Sequence, residues 1–264
     1  KADANLGKTQ FLAALGAPGG VLESNSDNAT VYYPGGAFKN PWFGVGGDFG
    51  VSKTISDFLN SNADTRLNAF GNPVGGVLVG VPYGLQRNDA IAFTGSNPNW
   101  SLVLNNAYRL QNSQLNLLTY ADVLLAKAEA RQLGWLTSGP TAQELYKEGI
   151  KASWEQWGVF DQDKYDAYLL KTSIAFTAGS ELERIGTQRW LAFFPNGNQG
   201  WSEWRRTGFP ALSPSPSPVN TSKQIPTRFI YPTGEYNLNG TNLQEAVAKI
   251  AGGDTMDGKV WWDK

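Results

Sequence analysis

Residues 113–158 read "SQLNLLTYADVLLAKAEARQLGWLTSGPTAQELYKEGIKASWEQWG", and their spacing decides the fold. In the first half, Leu117, Leu118, Ala121, Leu124, Leu125 and Ala128 recur at the 3.6-residue period of an amphipathic helix. This predicts a helix over 113–134, ended by Gly134, which suits the left-handed position after a helix. In the second half, Thr141-x-x-Glu144 is a capping box. Ala142, Leu145, Tyr146, Ser153, Trp154 and Trp157 form one stripe, and Gly158 stops it, so a second helix is predicted over 141–158. Residues 135–140 are too few to separate the two, and the small alanines of the first permit close approach, so an αα-hairpin follows. Such hairpins are the stacking unit of tetratricopeptide-like superhelices, although the sequence holds no second clear copy.

Outward from the hairpin, helices are predicted near 163–171 and from a Ser180-x-x-Glu183 box to Pro195. The last is expected to open at Thr241-x-x-Gln244, with Leu243, Ala246, Val247, Ile250 and Ala251 in register and Gly252 as its end. "SPSPSP" at 213–218 reads as an extended polar loop. Residues 1–112 read as loop-rich, with glycine clusters such as "YPGGAF" and "GVGGDFG" between candidate strands "ATVYY" and "GVLVGV". One short helix is expected there, at about 53–60, capped by Ser52. The predicted class is mainly α with long irregular loops and a few short strands. One domain covers 1–264, loop-rich over 1–112 and helical over 113–264.

Composition narrows the functions. The chain holds 22 basic and 23 acidic residues, so no field gathers nucleic acid or anionic lipid. It has no Cys and no His. That removes disulfides, thiolate nucleophiles, Ser-His-Asp triads and His- or Cys-ligated zinc, leaving carboxylates, Lys, Tyr or a hard cation on oxygen for any chemistry. No apolar run reaches the length of a spanning helix, and "KADANLGKTQF" does not read as a signal peptide. Low charge, ten Trp and abundant Gly, Asn, Ser and Pro suit a secreted or surface protein.

"RWLAFFPNGNQGWSEWRRTGFP", residues 189–210, sets Glu203 among aromatics beside Arg205 and Arg206. It reads either as a tuned catalytic acid or as an ion pair inside packed helix faces, and the cationic neighbours favour the second. Asp254 and Asp257 in "GGDTMDGK" lack the spacing of a calcium loop. Adjacent Trp261 and Trp262 cannot share one face, so one is expected to pack and the other to cover a surface. The Asn-x-Ser/Thr sequons at Asn28, Asn99, Asn220 and Asn239 read as chance in an Asn-rich chain.

"TQRWLAFFPNGNQGWSEWRRTGFP", "IPTRFIYPTGEYNLN", "NLQEAVAKIAGGD" and "VWWDK", in that order, resemble the C-terminal half of the SusD/RagB family of Bacteroidetes outer-membrane lipoproteins. "LLTYADVLLAKAEARQLGW" is similar to the family's helix with its "AEA", and "NADTRL" followed by "GGVLVGVPYG" match a divergent branch. The resemblance implies a cell-surface glycan- or nutrient-binding protein with neither cofactor nor catalysis. It implies capture of oligomers for a partner TonB-dependent (SusC-like) outer-membrane transporter. Family members are about twice as long, begin with a signal peptide and a lipidated Cys, and keep most tetratricopeptide helices in the N-terminal half. By that resemblance the chain is a fragment, its anchor outside these residues.

A sugar binder needs aromatic platforms beside polar side chains, placed where helix packing does not claim them. Trp42 and Phe43 in "KNPWFGVGG", Tyr83 in "VPYGLQRND" and Trp100 in "SNPNWS" meet that test, with Arg87, Asn88 and Asp89 as hydroxyl partners. Each aromatic has the alternative of pinning its loop to the core. Two other classes stay open: a glycoside hydrolase using Glu203 and Glu235, and a structural lid on the transporter without a ligand of its own.

Overall fold

The computed structural model describes residues 3–45 and 47–263; Gly46 of "GVGGDFG" and Lys264 of the closing motif lie outside the described residues. Helices dominate: α1 (Ala4–Leu15), α2 (Pro41–Gly44), α3 (Lys53–Asn62), α4 (Leu67–Phe70), α5 (Arg87–Ser96), α6 (Tyr120–Gln132), α7 (Ala142–Gln156), α8 (Gln162–Leu169), α9 (Glu181–Ala192), α10 (Gly197–Thr207), α11 (Thr233–Leu238) and α12 (Gly240–Val247). The one sheet among the described residues is an antiparallel ribbon of β1 (Ala29–Val31) and β2 (Leu115–Leu118).

The α6–α7 hairpin forms as the spacing predicts. Thr141 accepts from the Glu144 amide at 3.2 Å while Glu144 accepts from the Thr141 amide at 2.7 Å, completing the capping box. Both helices end alike. Gly134 and Gly158 take φ of +72° and +63°, and the residue after each donates back to the last turn, Trp135 to Ala130 at 2.8 Å and Val159 to Trp154 at 3.0 Å. Close approach owes as much to α7 as to the alanines of α6: a Cβ on Gly149 would stand 2.7 Å from Leu125 Cγ.

Four expectations are corrected. The 113–134 helix starts only at Tyr120, because Thr119 caps it by accepting from the Asp122 amide, and Leu117 and Leu118 stand 61% and 55% exposed in β2. The Ser180 box does not close: the Ser180 hydroxyl donates to the Thr177 carbonyl, and Glu183 pairs with Arg184. Thr241 lies inside α12, which begins at Gly240 without a side-chain cap and ends at Val247, so Ile250, Ala251 and Gly252 lie beyond it. Residues 1–112 hold the expected α3, capped by Ser52, and "ATVYY" supplies β1, but "GVLVGV" makes only isolated bridges. They also hold α1 and α5, which bury no residue and so showed no apolar stripe.

Two apolar clusters form the core. One joins Leu124 and Leu125 of α6, Tyr146, Ile150 and Trp154 of α7, Tyr165 and Tyr168 of α8 and Ile185 of α9. The other joins Val51, Leu59 and Phe70 from the loop-rich region to Trp157 and Leu191 from the helical region. A fully buried ion pair ties them. Arg66 grips Asp64, Nη2 to Oδ2 at 2.6 Å, and donates onward to Ser153 of α7, Tyr168 of α8 and Gln188 of α9. Burial alone would lower the guanidinium's pKa, but the Asp64 carboxylate outweighs it and keeps Arg66 charged.

Candidate functional site

Loop geometry decides which predicted platform keeps a ring face for a ligand. Buried Asn40 caps α2 through the Trp42 amide at 2.8 Å and donates to the Ser113 carbonyl at 2.9 Å, which fixes "NPWFG" on the body of the protein. Trp42 is half-buried against the second core cluster, its ring edge-on to Phe49 at 6.2 Å. Phe43 is 47% exposed, with the Lys39 ammonium 5.2 Å from its ring centre. Trp100 is half-buried over Gly50, where a Cβ would come within 3.1 Å of its ring. Trp42 and Trp100 thus give part of their surface to packing, while Phe43 keeps more of its ring in solvent.

Tyr83 is 40% exposed and sits differently. Its hydroxyl donates to the Ser213 carbonyl, so the "SPSPSP" loop, 130 residues away in sequence, is its partner. Partial burial raises the phenol pKa, so it remains a neutral donor. The two loops enclose a cleft of about 460 Å³ lined by Tyr83, Gln86, Ser215, Pro218, Asn220 and Gln224 among others. Gly84 makes the approach possible: its φ is +68° and a Cβ would fall 2.3 Å from Ser215 Cβ.

The far wall is tied by hydrogen bonds. Asn220 donates to Asp257 at 2.5 Å and to the Gln224 carbonyl at 2.9 Å. Asp257 accepts from the Ser222 hydroxyl at 2.6 Å and amide at 3.0 Å, which holds its carboxyl below the usual range. Arg87, Asn88 and Asp89 stand exposed in the first turn of α5, directly after Gln86. The sequence singled out Tyr83 and its neighbours but not the serine-proline loop opposite. Trp42, Phe43 and Trp100 are not among the residues lining this cleft.

The carboxylates weighed for hydrolysis are engaged elsewhere. Glu203 is 5% exposed and accepts from Arg206 at 2.7 and 3.0 Å, with Arg189 at 3.5 Å. Glu129 takes Arg206 with both oxygens at 2.6 Å, and Arg189 reaches Asp122 at 2.7 Å. The "EWRR" motif is therefore part of a five-charge network joining α6, α9 and α10, the ion-pair reading. Arg205, beside it, lies over the Trp201 ring at 3.8 Å and the Trp262 ring at 4.7 Å. Glu235 is exposed on α11 and accepts from Asn239 at 2.9 Å. Asp254 binds Arg228, the Tyr231 amide and the Tyr236 hydroxyl, and no group of three acidic residues among the described residues is placed to hold a metal.

The family described as "SusD-like_2: Starch-binding associating with outer membrane" matches residues 1–232. The chain belongs to the SusD-like family. Solved structures agree. A structure described as a chitin-binding protein is 29% identical over 99% of this chain, with a TM-score of 0.77 and 61% of its own length covered. A chitin-binding SusD homolog from Flavobacterium johnsoniae is 25% identical over 98% of the chain, with a TM-score of 0.83 and 59% of its length covered. A SusD homolog from Bacteroides uniformis is 28% identical over 97%, with a TM-score of 0.81 and 60% of its length covered. This SusD-like chain spans about three fifths of the length of each. No curated protein matches it.

Proposed function

We propose that this SusD-like protein binds oligosaccharides at the bacterial cell surface and delivers them to a TonB-dependent outer-membrane transporter, held at the membrane by a lipid anchor outside these residues. The observation that carries the reading is the part-exposed Tyr83 ring in a largely apolar cleft, walled by Leu85, Val219 and Ile225, that also presents Gln86, Ser215 and Gln224, set in a fold shared with two proteins described as chitin-binding. A pyranose presents a flat C–H face and a rim of hydroxyls; the ring stacks on Tyr83 while Gln86, Gln224 and Ser215 meet the rim. Phe43, and the uncovered parts of Trp42 and Trp100, are further aromatic contacts in this reading, outside the Tyr83 cleft. The protein is not an enzyme in this reading, since Glu203 is committed to Arg206 and Arg189.

The test is calorimetric titration of the chain with chitin and starch oligosaccharides. Tyr83→Ala is expected to weaken binding about fivefold to tenfold, the worth of one stacked ring, and Tyr83→Phe to bind within about twofold of the parent. Unchanged affinity in Tyr83→Ala removes this cleft from the site, and failure of the folded chain to bind any glycan removes the function. Copurification with an outer-membrane transporter checks the partner.

A further inference from the structure

We infer a second oligosaccharide-binding cleft, where α1, α6 and α10 meet the chain's closing tryptophans; it rests on the glycan-binding reading above. This cleft measures about 520 Å³, within the range of small-ligand sites. Phe11 of α1, Trp135 after α6, and Trp261 supply aromatic walls, and Phe11 and Trp135 meet at 5.9 Å between ring centres. Both closing tryptophans line the cleft; Trp262 is held by Arg205, whereas Trp261 stays 74% exposed. That is the division expected of two adjacent tryptophans, and it leaves Trp261 with ring surface for a ligand.

The floor names the ligand class. Arg206, its side chain 36% exposed, and Glu129 line the cleft together with Arg189 and Glu203, and Gln199 and Ser202 of α10 add neutral polar groups. Two guanidiniums are already matched against Asp122, Glu129 and Glu203. Two carboxylates, Glu129 and Glu203, face two guanidiniums, Arg189 and Arg206, in the lining, so neither an anion nor a cation gains a net charge partner. A wholly apolar ligand strips water from these charges and returns no hydrogen bond. A neutral polyol ring fits both surfaces: its C–H face stacks on tryptophan, and its hydroxyls accept from Arg206 and donate to Glu129 without disturbing the charge balance.

Titrating the chain with chitohexaose and maltohexaose, by calorimetry and by following tryptophan indole N–H signals, separates the two sites. Trp261→Ala removes an exposed ring, so its melting temperature is expected to match the parent, and it also assigns the Trp261 signal. The expected result is two binding events for at least one probe. Trp261→Ala weakens one of them about fivefold to tenfold, and Tyr83→Ala weakens the other. If the Trp261 signal stays unmoved at saturation and Trp261→Ala binds like the parent while Tyr83→Ala binds weakly, the second cleft is overturned and the first stands. If neither probe binds, both are overturned.

Discussion

Arg66 looks in sequence like any surface charge, yet it is fully buried with all its partners. Removing it strands the Asp64 carboxylate in the core, so Arg66→Ala is expected to lose about 3–5 kcal/mol, read by urea unfolding. Replacing both residues with apolar ones of similar volume is expected to cost less than that single change. Asp257 carries a pH signature. Its carboxyl is held below its ordinary 3.8 by Ser222 and Asn220, so its contribution is present above about 3.8 and is lost as pH falls through the lower folded value. Asp257→Asn is thus expected to melt earlier than the parent at pH 7, with the gap closing in acid. Neither role was legible from the chain. The partners of Arg66 lie 87, 102 and 122 residues away, and a local pattern carries no such distance. Tyr83 was legible as a loop aromatic, but its tie to Ser213 was not, for the same reason.

At the scale of elements, the sequence served best where one face is buried and the ends are capped locally. Helix α7 has both, and its start, stripe and stop agree with the reading. Helix α6 was read too long because "LNLL" falls on the helical period, and a short apolar run does not distinguish strand from helix. Thr119-x-x-Asp122 was the missed signal, a cap in the middle of the supposed helix. Ser180 shows the reverse, a capping pattern whose hydroxyl the preceding turn had already engaged. The hairpin's tightest point is a further test. Gly149→Val places a branched side chain against Leu125, which is itself fully buried, and is expected to cost roughly 2–3 kcal/mol by thermal or denaturant unfolding.

For the whole molecule, the five-charge network bears on binding and catalysis together. Glu203→Gln keeps the side chain's shape but leaves Arg206 and Arg189 short of one carboxylate. The variant is expected to melt earlier than the parent, and neither is expected to release reducing sugar from chitin or starch oligosaccharides. The Arg66 lock carries a consequence of another kind. Its partners sit on either side of the connection between α8 and α9, where Leu170 projects into solvent. A protease nick at that connection breaks one covalent link and none of the guanidinium's hydrogen bonds. The two pieces are expected to travel as one particle through gel filtration and to separate only in denaturant, and separately expressed halves to reassemble when mixed.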